Sequence, residues 1–372
     1  MSVLPFSIEV PEEELADLRE RLARTRLPRP TPGEPWSAGV DYEYLAELGR
    51  YWREDFDWRA RETELNAFPQ YTAEIDGCRV HFLHVRAARR DGGPVPVPLL
   101  LSHGWPSAFT EFLKLAPLLK DDFDLVIPST PGFVFSDPLP GPHTRAAIAD
   151  VWAKLMTVLG YDRFGAYGGD IGADITNWLA IRHPERLLGI HLLHPKMPSV
   201  GPTDPPLDAQ EQAFLDSLKK FDETDFGYSA MQETRPDTAA AALNDSPIGL
   251  AAWILDKFRA WTDHDGDLES RFSRDDLLTL VTLYWVTGCI GSSFRTYFDY
   301  HHNEPRPVIG VPVAATLGIE DREYPRQMAD RSYTDVRRWH AATVGGHFLP
   351  LEEPELLAGE LRAFFGGVAG RG

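Results

Sequence analysis

The stretch Phe164-Gly-Ala-Tyr-Gly-Gly-Asp170-Ile-Gly-Ala173 sets one carboxylate among glycines. A small-x-nucleophile-x-small pattern between a strand and a helix lets the backbone turn sharply without a Cβ clash. The central side chain is then left exposed above the sheet edge. A carboxylate placed there attacks an electrophilic carbon without first losing a proton, and the product is an ester. Hydrolysing that ester requires a base to activate water and donors to hold the oxyanion. The bland alternative is a tight loop whose aspartate caps the following helix, so residues elsewhere must decide.

Far along the chain, Gly345-Gly346-His347-Phe348 puts a histidine on a turn, a poor place for a core residue. Between the two lies a strand-like run at residues 311–317 that Gly318 breaks, followed by Glu320 and Asp321. The G-x-x-D spacing makes Asp321 the expected acid, with Glu320 the alternative, turned away if the loop stays extended. Such an acid holds the imidazole in the right tautomer and stabilises the imidazolium. Nucleophile, acid, histidine is the chain order of the α/β-hydrolase template. His103-Gly104-Trp105-Pro106 follows an apolar strand, so the Trp105 N–H can face a developing oxyanion and Ile171 can supply a second N–H. A tight turn with a packed tryptophan is the competing reading.

These residues need a sheet to carry them. Residues 71–75 and 79–85 are β-rich and joined by Asp76-Gly77, a hairpin signal. Strands are predicted at 99–102, 125–127, 164–167, 187–191 and 311–317. Helices alternate with them, one capped by Thr144 and ended by Gly160, another running from Ala173 to Arg182. That alternation predicts a mostly parallel sheet flanked by helices. Pro94, Pro96 and Pro98 punctuate the loop before the strand at 99–102. Ahead of the hairpin, residues 1–70 form an arm with two helices, one opening at Pro11 with Leu15, Leu18 and Leu22 on one face, the other at 41–55. Residues 71–195 and 306–372 make the core, the latter ending in an amphipathic helix from Pro354. The intervening 196–305 loses the alternation and becomes a helical, aromatic lid that includes Phe221, Tyr228, Trp261, Phe294 and Tyr297.

Over 372 residues the formal net charge of −19 excludes the basic surface that nucleic-acid binding needs. Cys78 and Cys289 sit far apart in apolar contexts and are expected reduced and buried. The first residues lack a basic region and a long apolar run, and no later stretch reaches a membrane span, so a soluble cytoplasmic protein with no membrane partner is expected. Asp263-His-Asp-Gly-Asp267 superficially resembles a calcium loop, but its glycine is misplaced and no glutamate closes the site; a solvated lid loop is expected. His301-His302 is expected at the surface, and no Cys/His spacing suggests zinc. No metal and no cofactor are expected.

Taken together, the chain resembles the microsomal-type epoxide hydrolases of the α/β-hydrolase superfamily. The resemblance runs from Pro5-Phe6 through Trp52-Arg-Glu-Asp-Phe-Asp-Trp58 to Pro354-Glu-Leu-Leu357, and is strongest at His103-Gly-Trp-Pro106, Gly168-Gly-Asp170, Asn244-Asp-Ser-Pro247 and Gly345-Gly-His-Phe348. It implies an arm wrapped on the catalytic domain and a lid supplying two tyrosines that hold the epoxide oxygen, matched here by Tyr228 and Tyr297. Many relatives carry tryptophan where Ile171 stands, and the N-terminal membrane anchor of the animal members is not expected here. The implied reaction opens an apolar epoxide with Asp170 and hydrolyses the ester with His347, Asp321, Trp105 and Ile171. Its partners are a small-molecule epoxide and water, and a homodimer is left open. A haloalkane-type dehalogenase with the same nucleophile and a catalytically silent binding fold are the alternatives.

Overall fold

A computed structural model describes residues 2–29, 32–88, 95–196, 198 and 205–369. Pro94 and the side chain of Phe221 lie outside the described residues. A nine-stranded sheet runs through the molecule in the order β1-β2-β3-β5-β4-β6-β7-β8-β9. The strands are β1 (Val3–Phe6), β2 (Gln70–Ile75), β3 (Cys78–Val85), β4 (Val97–Ser102), β5 (Phe123–Pro128), β6 (Phe164–Gly168), β7 (Leu187–Leu192), β8 (Val313–Leu317) and β9 (Val336–Ala341). The first four in spatial order pair antiparallel, and the rest are parallel. Strands β5, β6 and β8 are buried at every residue, as expected of parallel strands covered on both faces. The β2–β3 turn is made by Asp76 and Gly77, both at positive φ, the conformation that matches the twist of a two-residue hairpin. The architecture is the α/β-hydrolase fold anticipated from the alternation.

Two strands depart from the sequence expectation. Val3–Phe6 is too short and too exposed to alternate clearly, yet it pairs with β2 and forms one edge of the sheet. At the other edge, β9 reads Val-Arg-Arg-Trp-His-Ala, with Arg338 and His340 bonded to Glu360 of the terminal helix Pro354–Ala369. Charge on an edge strand blocks pairing with another chain but hides the strand from a hydrophobic pattern. A third arm helix, Trp58–Asn66, is capped by Asp57, which accepts from the Ala60 N–H.

The arm helices Glu12–Ala23 and Tyr42–Glu54 bury Leu15, Leu18, Leu22, Leu45, Leu48 and Trp52. Asp41 caps the second by accepting from the Tyr44 N–H. Much of this face rests on the lid: Trp52 Nε1 donates to Thr282 Oγ1 at 3.0 Å and the Tyr51 hydroxyl to Asp275 Oδ1 at 2.8 Å. The arm thus ties the lid's Arg274–Thr287 helix down while its first strand joins the core sheet. Cys78 and Cys289 are buried free thiols. Among the described residues no single helix is long and apolar enough to cross a membrane. The bent pair Arg274–Thr287 and Ile290–Phe298 meets that test only by length and composition.

Candidate active site

Four residues project from the carboxyl edge of adjacent strands: Asp170 after β6, His194 after β7, Glu320 after β8 and His347 after β9. Asp170 lies at φ 52°, ψ −128°, a strained conformation for a non-glycine residue that surrounding contacts must enforce. Glycines make the turn possible. A Cβ on Gly168 would meet the Gly172 carbonyl oxygen at 2.1 Å, and one on Gly172 would meet that of Ser102 at 2.0 Å. Although Asp170 occupies the N-cap position of helix Ile171–Arg182, its side chain makes no capping hydrogen bond, which removes the bland reading. Oδ1 instead accepts the Trp105 N–H at 2.9 Å. Gly104 is needed for this approach, since a Cβ there would lie 2.3 Å from that oxygen. Ile171 begins the helix, where backbone N–H groups have no intrahelical acceptor.

His347 Nε2 lies 3.6 Å from Asp170 Oδ2, beyond a direct hydrogen bond. Its Nδ1 meets Glu320 Oε1 at 3.0 Å. The expectation of Asp321 at this nitrogen is therefore corrected: Glu320 occupies it, while Asp321 Oδ2 lies 3.9 Å from His194 Nε2. The error came from treating the loop as extended. Residues after β8 instead curl into a turn in which the Asp321 N–H donates to the Gly318 carbonyl at 3.1 Å, so side-chain direction no longer alternates. Burial disfavours the His347 imidazolium, but the charge and hydrogen bond of Glu320, with Asp170 behind, outweigh it and push the ring up to about 9. Desolvation would raise Glu320, yet His347 and the hydrogen bonds from both histidines hold it at about 2. Burial, with the Glu320 charge beside it, pushes Asp321 up to about 6 against the pull of His194.

The loop bearing His347 is held from both sides. Its backbone N–H donates to the Trp261 carbonyl at 2.9 Å, and Glu352 accepts from the N–H groups of Gly346, Phe348 and Asp263 at 2.9 Å each. Asp263 Oδ2 in turn accepts the Gly345 N–H at 2.9 Å. The segment expected to be a solvated lid loop thus anchors the histidine turn at its first residue.

Tyr228 in lid helix Gly227–Thr234 and Tyr297 in Arg295–Phe298 converge on Trp105. The Tyr228 ring stacks on the indole at 5.2 Å and 8°, and Tyr297 meets it edge-on at 6.0 Å and 84°. The two tyrosine rings meet edge-on at 6.1 Å and 76°. Burial first, and the Asp170 charge among the further causes, raise both phenols above their ordinary value, which places both within the field of that carboxylate. Trp261 and Phe294 complete an aromatic wall around Trp105. Lys257, beside Asp225, sits 5.1 Å over the Tyr228 ring.

Sequence reasoning missed His194 and Glu111. Glu111, 4% exposed, receives hydrogen bonds from Ser107 and the Gly104 backbone, and burial pushes it up to about 7 in the fields of His347 and Asp170. A carboxylate flanked by Phe109 and Phe112 just after His103-Gly-Trp-Pro106 was the available signal. By distance alone, His194, Glu320 and His347 could hold a cation, their ligand atoms lying within 4.8 Å of one another. However, His194 Nδ1 already accepts the Asp170 N–H at 2.7 Å, so Nε2 carries the proton. That N–H points at Glu320 at 3.2 Å, and a metal would have to break this bond.

Residues 3–112 match a family model described as the epoxide hydrolase N terminus, and residues 97–232 match one for the α/β hydrolase fold. A Stigmatella aurantiaca protein named "Putative epoxide hydrolase" is 41% identical over 98% of this chain and 84% of its own length. Epoxide hydrolase 1 of Sus scrofa is 35% identical over 98% and 89%. The solved structure of Aspergillus niger epoxide hydrolase superposes with a TM-score of 0.87 at 31% identity, covering 99% of this chain and 97% of that one.

Proposed function

The chain belongs to the microsomal-type epoxide hydrolase family of the α/β-hydrolase fold, and from that premise we propose that it opens an apolar epoxide through an ester on Asp170 and releases a vicinal diol. Epoxide hydrolysis is the activity. The observation that carries the covalent route is the strained Asp170, with one oxygen held by the Trp105 N–H at 2.9 Å and the other turned toward His347 at 3.6 Å.

Asp170 Oδ2 attacks a ring carbon, the carbon–oxygen bond breaks, and the emerging alkoxide takes a proton from the Tyr228–Tyr297 pair. Both phenols are weakened as acids by the Asp170 charge. That charge disappears as the ester forms, so each becomes a better donor when the alkoxide needs it. The same change acts on His347. Losing the Asp170 carboxylate removes one of the charges that stabilise its imidazolium, favouring the neutral base in the intermediate. His347, oriented by Glu320, then takes a proton from water, whose oxygen attacks the ester carbonyl carbon. The N–H groups of Trp105 and Ile171 hold the tetrahedral oxyanion. On collapse, one proton of the water goes to the departing oxygen; the other restores the tyrosine and leaves Asp170 a carboxylate. The aromatic wall of Trp105, Trp261 and Phe294 favours apolar substituents on the epoxide.

Neither alternative is favoured. The relatives are named epoxide hydrolases, and nucleophile, base and acid form one connected constellation. A single turnover in isotopically labelled water tests the route. The first diol should carry an unlabelled new oxygen from Asp170, with the label appearing in the protein; label in the first diol would mean direct attack by water. Asp170→Ala should lose activity by roughly four orders of magnitude or more.

A further inference from the structure

We propose that His194 is a positioning residue for both half-reactions, joining the nucleophile turn to the acid and closing a ring of four side chains along the sheet edge. The inference rests on the reading of Asp170, Glu320 and His347 given above. Nothing in the two-carboxylate, one-histidine scheme requires a second imidazole.

Three sides of the ring are within hydrogen-bond distance, and the fourth is a longer approach of 3.6 Å. His194 Nδ1 accepts the Asp170 N–H at 2.7 Å, and its Nε2 faces Glu320 Oε1 at 3.2 Å. The same oxygen meets His347 Nδ1 at 3.0 Å, and His347 Nε2 returns to Asp170 Oδ2 at 3.6 Å. The two imidazoles lie against each other with centroids 4.4 Å apart. The tautomer is dictated by the backbone. An amide N–H can only donate, so Nδ1 must offer a lone pair and the ring proton must sit on Nε2, where Glu320 accepts it.

This geometry gives His194 two tasks. It satisfies the N–H of a residue at φ 52°, helping to hold Asp170 in its strained, exposed conformation. It also fixes Oε1, the oxygen that orients His347, so that the carboxylate keeps one rotamer through ester hydrolysis. Because β7 lies between β6 and β8, His194 is the side chain that can reach both neighbouring loops.

Single-turnover kinetics on His194→Phe and His194→Gln test this, following adduct formation and decay separately by intact-protein mass. Phenylalanine keeps the ring contact and loses both hydrogen bonds. It should slow adduct decay roughly tenfold or more, the size expected from losing a charge-assisted hydrogen bond, and adduct formation by a smaller factor. Glutamine can accept from the Asp170 N–H and donate to Glu320, so it should recover most of both rates. Parent rates in the phenylalanine variant, or equal impairment in both, would overturn the proposal and leave His194 a packing residue. If either variant fails to fold, histidine ¹⁵N resonances of the parent protein decide: His194 should carry its proton on Nε2 and leave Nδ1 bare, and a proton on Nδ1 would overturn the proposal. Absence of any adduct in the parent protein would instead strike the ester route itself.

Discussion

Asp170 and His347 hang from backbone turns at the sheet's carboxyl edge, whereas Tyr228 and Tyr297 are held by ring packing inside the lid. At the edge, direction comes from the main chain: glycines at 168, 172 and 345, the Trp105 N–H and the hydrogen bonds that Glu352 accepts from the histidine turn. In the lid, direction comes from ring contacts with Trp261 and with Trp105, whose own backbone serves the edge. The two regions meet at Trp105 and again where Trp261 and Asp263 of the lid hold the histidine turn. Hydrogen bonds fix an angle steeply and ring stacking less so, which leaves Asp170 held more tightly in direction than the two tyrosine rings.

Ester hydrolysis should depend on the edge alone, and the sharpest break in the comparison is Glu320→Gln. It should slow decay of the alkyl-enzyme by roughly three orders of magnitude while leaving its formation nearly unchanged, so the adduct accumulates on the intact protein. Asp321→Asn should turn over within a few-fold of the parent. Accumulation in the Asp321 variant and not the Glu320 variant would return the acid role to Asp321.

The converse break lies in the lid. Tyr228→Phe or Tyr297→Phe should slow alkylation about tenfold each and the double change about 10²-fold or more, with decay of any adduct unaffected. Alkylation at the parent rate in the double variant would reduce both tyrosines to packing.

The smallest effect sharpens the edge side by pH. Glu111 is pushed up from its ordinary 4.5 to about 7 by burial, so the folded protein binds its proton more tightly than the unfolded chain does. The stability this contributes is complete below 4.5 and is lost as pH rises through about 7. Glu111→Gln should therefore melt higher than the parent above pH 7, the difference disappearing below pH 4.5, with turnover changed only a few-fold. Equal melting curves across that range would mean that Glu111 is hydrated in solution.

The contrast also explains what could be read in advance. Glycine spacing around Asp170, the Gly-Gly turn before His347 and the His-Gly-Trp-Pro segment are local solutions to a local steric problem, so their residue types announce themselves. The tyrosines carried no such sign: either could equally have packed in the lid, and only the family resemblance marked them out. The choice between Glu320 and Asp321 failed because a loop's curl, set by its hydrogen bond back to Gly318, decides which of two neighbours faces the ring. The edge strands β1 and β9 escaped notice because exposure and charge erase the alternation that burial writes into central strands.

By itself, then, the sequence determined the mostly parallel sheet, the glycine-flanked elbow at Asp170 and the turn bearing His347, because short-range sterics and hydrophobic periodicity act between near neighbours. Only the tertiary structure decided which carboxylate serves His347, that His194 bridges two loops, that Asp263 and Glu352 grip the histidine turn, and that Glu111 is buried beneath the site. Those contacts join residues from 4 to 126 positions apart, and the distant ones depend on how strands are ordered in the sheet rather than on any local pattern.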